Sequence, residues 1–321
     1  MKNPVWQQEL AGAVRQSDTL CTLLDLDPGQ FPVPPGVDRF PLRVPRGYIA
    51  RMTPGDPCDP LLLQVLPRPA EAVVSAGYML DPVGDQKARV AAGVLHKYHD
   101  RLLLMPTGVC PIHCRYCFRR HFPHERFDWH SALTYLATHG EIQEVILSGG
   151  DPLLLSDARL VDLLKRLETI PHLRRLRIHT RVPVVLPERV NDTLCSLLGR
   201  SKLSVIMVLH SNHANEWNDP VRYACTRLAH VGVVLFNQSV LLCGINDRAE
   251  ILIALSEALF KAKVIPYYLH LFDPVQGAAH FAVPVVAAVP MMDALRTYLP
   301  GYLVPRLVRE CVGAPSKMTI S

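Results

Sequence analysis

The stretch Leu102-Leu-Leu-Met-Pro-Thr-Gly-Val-Cys110-Pro-Ile-His-Cys114-Arg-Tyr-Cys117-Phe-Arg-Arg120 reads as a short strand running straight into a loop with three cysteines. The apolar run Leu102–Met105 has the length of a buried strand. The spacing C-x3-C-x2-C sets three thiols within eight residues. Three thiolates so close can take three corners of one metal centre and leave the fourth open, which suits an iron–sulfur cluster that must touch a substrate. A structural zinc site would want four protein ligands, and no fourth cysteine stands nearby. The remaining cysteines are scattered singly and suit packing.

Working outward, short apolar runs recur at Leu102–Met105, Val145–Leu147, Leu176–Ile178, Val205–Leu209, Val233–Phe236 and Val264–Leu269. Helical patterns lie between them. The run from Ser156 to Leu167 starts on an N-cap residue and keeps apolar positions at helical spacing, and the run from Asp247 to Leu259 behaves similarly. Six strands alternating with helices predict parallel βα units, short of the eight that close a full barrel. A partial barrel and an open sheet both fit. After each strand comes a polar, chemically capable loop: the cysteine loop, Ser148-Gly149-Gly150-Asp151, His179-Thr180-Arg181, His210-Ser211-Asn212-His213, Asn237-Gln238-Ser239, and His270 with Asp273. The C-terminal ends of parallel strands are where such sheets bind ligands.

Bulk properties frame this. The chain has 321 residues, 49% hydrophobic and 20% charged, which is a globular composition. A net charge of +5 suits anionic cofactors, and no lysine- or arginine-rich tail argues for nucleic acid. The start of the chain is too polar for a signal peptide, and no run of about 18 apolar residues predicts a membrane span. A cytoplasmic protein is therefore expected, where clustered cysteines mean metal or catalysis more often than disulfides. Residues 1–95 read as a helical and proline-rich front section, 96–290 as the βα region and 291–321 as a C-terminal segment.

The cysteine spacing with Phe118 after it resembles the signature of radical S-adenosylmethionine (SAM) enzymes. The resemblance implies a [4Fe-4S] cluster on Cys110, Cys114 and Cys117, whose open iron takes SAM and cleaves it to a 5′-deoxyadenosyl radical. It also implies a radical-SAM type (β/α)6 partial TIM-like barrel, of α/β class. Glycines let backbone approach a ligand closely, and Asp151 can accept from an ammonium group. One strand past the cysteine loop, Ser148, Gly149, Gly150 and Asp151 resemble the motif that meets the SAM amino group. Arg181, His210 and Gln238 are expected in the same pocket, with a histidine satisfied by backbone the alternative for His210.

The resemblance sharpens to lysine 2,3-aminomutase and its relatives through Val145–Asp151, Thr180–Pro187, Asn212–Glu216, Asn237–Leu242, Pro266–Tyr268 and Gly301-Tyr302, in family order. These enzymes also use pyridoxal 5′-phosphate (PLP), which implies a C-terminal segment carrying the PLP lysine. Lys317 occupies the place of the Schiff-base lysine, although Ala-Pro-Ser replaces a glycine-rich lead-in. Lys97, Tyr98 and Arg101 resemble residues around the PLP ring and phosphate, with a polar helix end the plain alternative. Arg119 matches the arginine that grips the substrate carboxylate, a task suited to a guanidinium fork. Asp273 matches an acid that holds the distant ammonium. Glu310 stands where the free-lysine enzymes have an aspartate.

The activity so implied is a lysine 2,3-aminomutase, an isomerase acting on L-lysine. The chain stops four residues past Lys317 and lacks a C-terminal Cys-x-Cys, and Arg248 stands where the longer enzymes place a zinc-ligating cysteine. It thus resembles the short bacterial form that makes (R)-β-lysine for elongation factor P, with a separate ligase attaching the product. A reductant protein for the cluster follows as a further partner; neither nucleic acid nor membrane is expected. The alternatives are a metabolic aminomutase acting on free lysine or another amino acid and, in a different class, a non-catalytic iron–sulfur or zinc protein.

Overall fold

A computed structural model describes residues 4–33, 36, 40–123 and 126–321. The first three residues, and Pro34 and Pro35 of the proline-rich stretch, lie outside the described residues. The front section opens with two seven-residue helices, α1 (Val5–Ala11) and α2 (Ser17–Leu23), and a single turn, α3 (Arg46–Ile49). Prolines keep its helices short: Pro28 and Pro69 each begin one 3-10 turn, and Pro45 precedes α3. The section then turns to sheet, with β1 (Arg89–Ala91) antiparallel to β2 (Val94–Tyr98), and β2 antiparallel to β3 (Arg101–Leu104). Lys97 and Tyr98 therefore end a strand, not a helix, and Arg101 opens the next.

From β3 the chain alternates. Helices α4 (Trp129–Thr138), α5 (Asp157–Leu167), α6 (Val182–Val185), α7 (Asp192–Gly199), α8 (Asp219–His230), α9 (Ala249–Lys261) and α10 (Val285–Tyr298) connect strands β4 (Glu144–Leu147), β5 (Arg175–Thr180), β6 (Ser204–His210), β7 (Val234–Val240), β8 (Ile265–His270) and β9 (Arg306–Arg309). The six expected strands are β3 to β8. All pairs from β3 to β9 are parallel, so β9 adds a seventh parallel strand, and β10 (Met318–Thr319) returns antiparallel beside it. With only two buried apolar residues, Leu307 and Val308, between exposed arginines, β9 carries too weak a pattern to be read from sequence. The ten strands follow chain order from β1 at one edge to β10 at the other, an open, partial barrel. The division at 95/96 falls inside β2, and that at 290/291 inside α10.

Strand alternation sorts the side chains. On β5, Leu176 and Ile178 are buried in the core, while Arg177 and His179 face a central cavity. Helix α5 turns Leu160, Leu163, Leu164 and Leu167 inward, and the Ser156 hydroxyl accepts from the Arg159 N–H at its start. Helix α9 lacks the expected Asp247 cap. Arg248 holds that place without a side-chain cap, because the Asp247 carboxylate accepts from Gly244 N–H instead. Trp6, Leu20 and Tyr48 of the front section share one core with Leu102, Val145, Leu176 and Met207 of the barrel.

Ala279–Tyr298, with mean hydropathy 1.2, is long and apolar enough to pass for a membrane span by length and composition, although His280, Asp293 and Arg296 interrupt it. Its regular α part is the 14-residue α10, about 21 Å long at 1.5 Å per residue and short of a ~30 Å hydrocarbon layer. Ala288, Met292 and Leu295 pack it against Leu252 of α9 and Leu269 of β8.

Candidate active site

The cysteine loop is anchored by arginines on either side of its last cysteine. Arg115, which is buried, donates from Nε to Glu71 Oε1 at 2.8 Å and from Nη1 to the Phe40 carbonyl at 2.6 Å, and its Nη2 also meets Glu71. Arg120 donates to Glu71 Oε2 at 2.6 Å and to the carbonyls of Arg115 and Gly277, both at 2.9 Å. Burial favours a protonated Glu71, but the two guanidiniums outweigh it and hold the carboxyl below its usual range. With both neighbours committed to scaffold, Arg119 is the arginine that faces the cavity.

Gly149 and Gly150 serve that loop in a way the sequence did not give. A Cβ on Gly150 would lie 2.5 Å from Gly108 C and from Val109 N and O. Gly149 has φ +102°, and a Cβ there would lie 2.7 Å from Met105. The close approach is to the chain's own backbone. It lets Gly150 N–H reach the Thr107 carbonyl at 2.9 Å and Asp151 N–H reach Val109 at 2.8 Å, which carries the β3–β4 pairing up to Cys110. Asp151 also departs from expectation. Its buried carboxylate already accepts from Thr180 Oγ1 at 2.7 Å, Leu153 N at 3.1 Å, Arg181 N at 2.7 Å and Val182 N at 3.1 Å. Four donors saturate a carboxylate, so Asp151 ties the ends of β4 and β5 together and leaves nothing to offer an ammonium group.

Arg181 is likewise engaged. Its guanidinium donates to Cys114 Sγ at 2.7 Å, Tyr116 Oη at 2.8 Å, Tyr48 Oη at 3.1 Å, Gln64 Oε1 at 2.6 Å and Glu216 Oε2 at 2.9 Å. Burial works against its charge, but these partners raise its pKa well above the ordinary value. His210 Nδ1 lies 3.1 Å from the Gln238 carbonyl and must donate there, so Nε2 accepts from Tyr116 Oη at 2.8 Å. Burial and Arg181 lower its pKa to about 3, so the ring is neutral, the backbone-satisfied alternative. Gln238 is thus tied in through its carbonyl, while its side chain borders the cavity.

At the other end a chain of alternating charges crosses from the cysteine loop to the C-terminal segment. Asp85 takes Arg119 Nε at 2.7 Å on Oδ2 and Lys97 Nζ at 2.7 Å on Oδ1. Arg119 Nη1 donates to Ser148 Oγ at 3.0 Å. Lys97 lies 3.8 Å from Glu310 Oε1, which accepts from Tyr98 Oη at 2.5 Å, and Glu310 Oε2 accepts from Lys317 Nζ at 2.7 Å. Burial would raise the Asp85 and Glu310 carboxyls, but the cations hold both below their usual range. Asp273 differs. Among the described residues its carboxylate has no hydrogen-bond or ion-pair partner, and burial pushes its pKa up to about 7. Arg101 stacks on the Tyr98 ring at 4.9 Å and pairs with Asp100 at 3.1 Å.

The candidate cluster, cofactor and substrate residues named from the sequence line one cavity of about 550 Å³, whereas Ser211, Asn212, His213, Asn237 and Ser239 of the strand-end loops do not. The cavity also brings in residues the sequence reading left unassigned: Asp85, Arg177, His179, Tyr268, His270 and Arg306. His179 and His270 had stood in the strand-end loops without a role. Burial lowers both pKa values well below normal, and each buried Nε2 lacks a partner. A separate recess of about 400 Å³ beside Arg296 and Ile320 carries no acid, thiol or histidine.

The donor set fits the implied groups. Among the described residues no three ligands converge on a single ion. A cubane cluster asks for something else, one thiolate on each of three separate irons, and the three cysteines line one wall. Burial and the mutual charges of the cysteines, with Asp151 beside Cys110, raise Cys110 well above the usual thiol range, and burial with Cys114 takes Cys117 to about 11. Such thiols become thiolates when iron supplies the missing positive charge. For PLP, Lys317 offers an amine, and the orphan His179 and His270 nitrogens with Arg177 and Arg306 offer unsatisfied or cationic donors.

Residues 104–208 match the Radical SAM superfamily. The chain is 48% identical to L-lysine 2,3-aminomutase of Escherichia coli (strain K12), over 97% of this chain and 93% of that protein. It is 46% identical to that of Haemophilus influenzae, over 97% and 94%, and 37% identical to that of Clostridium subterminale, over 85% of this chain but 67% of the longer protein. A solved radical SAM methyltransferase from Sphaerobacter thermophilus aligns at 13% identity with a TM-score of 0.48, covering 67% of this chain and 68% of that one. The cysteine wall, the strand-end cavity and these near full-length identities lead to one conclusion: the chain belongs to the lysine 2,3-aminomutase family of radical SAM isomerases, in its short bacterial form.

Proposed function

We propose that this enzyme converts L-α-lysine to (R)-β-lysine with PLP held by Lys317, and that the product serves the modification of elongation factor P. Family membership carries the cluster, SAM and the aminomutase reaction; the non-catalytic alternative falls with it. PLP, the residue roles and the destination of the product are the proposed part. The observation that supports them best is the layout of one cavity. It has the cysteines on one wall, Arg119 beside them, and Lys317 with an unpaired acid, Asp273, at the far end.

The cluster and SAM supply a hydrogen-abstracting radical, and PLP supplies a conjugated partner for the migrating nitrogen. The chain's own part is positional. Arg119, fixed on two sides by Asp85 and Ser148, presents its remaining N–H groups to a carboxylate. Asp273 offers a cation receptor. Arg101, Arg177 and Arg306 give an anionic cofactor a basic wall, and the neutral His179 and His270 can donate without adding charge. The elongation factor P role rests on resemblance to the short bacterial form, and a cytoplasmic setting goes with it.

The test is anaerobic: reconstitute the cluster, add PLP, dithionite, SAM and L-lysine, and assay β-lysine by chiral chromatography. Deoxyadenosine without β-lysine overturns the substrate. PLP absorbance that survives Lys317→Ala overturns the cofactor lysine. With the β-lysine ligase and elongation factor P added, no mass gain on the factor overturns the destination.

A further inference from the structure

The run Asn212–Glu216 lies outside the cavity, yet the fold joins it to the cysteine loop. Glu216 is fully buried, and its Oε1 accepts from the backbone N–H of Asn212 at 2.7 Å and of His213 at 3.1 Å. Its Oε2 is thereby fixed 2.9 Å from Arg181 Nη2. Neutral oxygens complete the cage, with Tyr48 Oη at 3.1 Å and Gln64 Oε1 at 2.6 Å on Nη2, and Tyr116 Oη at 2.8 Å on Nη1. Asn212 Nδ2 holds two of these in place, donating to Gln64 Oε1 at 3.0 Å and to Tyr116 Oη at 2.7 Å. A guanidinium gripped in this way has one orientation, and it aims Nη1 at Cys114 Sγ, 2.7 Å away. Arg119 and Arg120, which follow Cys117, turn their guanidiniums to Asp85 and Glu71 instead.

We infer that Arg181 is a positioning residue for the cluster: its N–H···S bond to Cys114 raises the cluster's reduction potential, and the Asn212–Glu216 run holds that bond in place. On reduction the cluster takes one electron from its donor, and its sulfurs gain negative charge. A cationic donor on one of those sulfurs stabilises the reduced state more than the oxidised one. Burial strengthens the effect, because a low dielectric leaves the pair little screened. Glu216 opposes it only in part, since the carboxylate sits on Nη2 while Nη1 faces the sulfur. Arg181 stays protonated throughout, so no proton moves with the electron. A tie that served structure alone would leave the potential where it is. The inference needs the cluster that family membership carries, and neither PLP nor lysine.

The experiment uses the reconstituted holoenzyme without SAM, so that no radical forms. Dithionite titration against redox dyes, read by EPR of the reduced cluster, gives the midpoint. Arg181→Met combined with Glu216→Gln, which strands no buried charge, should lower the equilibrium constant for reduction about tenfold, or about 59 mV for one electron. Glu216→Gln alone removes the opposing carboxylate and should raise that constant several-fold. Both variants should bind iron as the native chain does. A second readout leaves the native chain intact. With heavy nitrogen in the arginine guanidiniums alone, pulsed EPR of the reduced cluster should show a coupled label, and Arg181→Lys should lose it. A midpoint unmoved in either variant, a rise in the double variant, or no coupled label in the native enzyme overturns the inference. So does a coupling that survives in Arg181→Lys, since it comes from another arginine. Iron lost from both midpoint variants makes the tie a structural one and overturns it as well.

Discussion

Replacing Asp273 by asparagine should stabilise the cofactor-free protein, by an amount set by pH. The acid sits in the cavity with no cation bonded to it, and burial moves its pKa from 3.8 to about 7. Between those values the folded chain keeps a proton that the unfolded chain has released. Stability therefore falls as pH rises, by about 1.4 kcal/mol per unit, and the full loss is reached above the folded value. Three units correspond to about 4 kcal/mol, an order-of-magnitude figure. Asparagine fills the same space and never ionises. The native and variant proteins should thus be equally stable near pH 4, and the variant should lead by about 4 kcal/mol near pH 8. Urea unfolding across that range measures it. Parallel curves, or a native protein that is the more stable at the alkaline end, would refute the reasoning, since an unpaired buried carboxylate must cost stability when charged. The same deficit is what a cationic ligand repairs, so lysine should raise stability most at alkaline pH.

Gly150→Ala should destabilise the fold by about 1–3 kcal/mol and lower the iron bound after reconstitution, because its Cβ would sit 2.5 Å from the backbone before Cys110. Gly140→Ala, with nothing within 4 Å, is the control and should change neither. Asp85→Asn leaves Arg119 and Lys97 without their shared anion, and should raise KM for lysine about 10- to 100-fold while the iron content stays native. Arg181→Met strands buried Glu216 and should cost about 3–5 kcal/mol in urea unfolding. Adding Glu216→Gln should recover part of that loss, as expected of two residues in one network.

The cavity's outline was legible because it rests on local signals. Cys110, Cys114 and Cys117 lie in one loop, so spacing alone puts them on one wall of the cavity. The polar strand ends were visible because a parallel βα chain must present them at one edge. Helix α5 was legible from Ser156 and four leucines at helical spacing. Strand β9 was not, since only Leu307 and Val308 are buried there, between exposed arginines.

What each polar group does was a matter of tertiary structure. Asp151 and Arg181 were expected to face SAM, but strand pairing turns both into the ties that hold the loops. Asp85 carries no motif, and its partners Lys97 and Arg119 reach it from a strand and from the cysteine loop. Glu310 meets Tyr98 across 212 residues, a contact only the curvature of the sheet creates. Sequence by itself determined which residues stand at the catalytic edge, because strand order and loop spacing are local properties. Only the tertiary structure decided which of them are spent on one another and which remain free, because a charge is committed by what lies within about 3 Å, and distance in the chain says nothing of that.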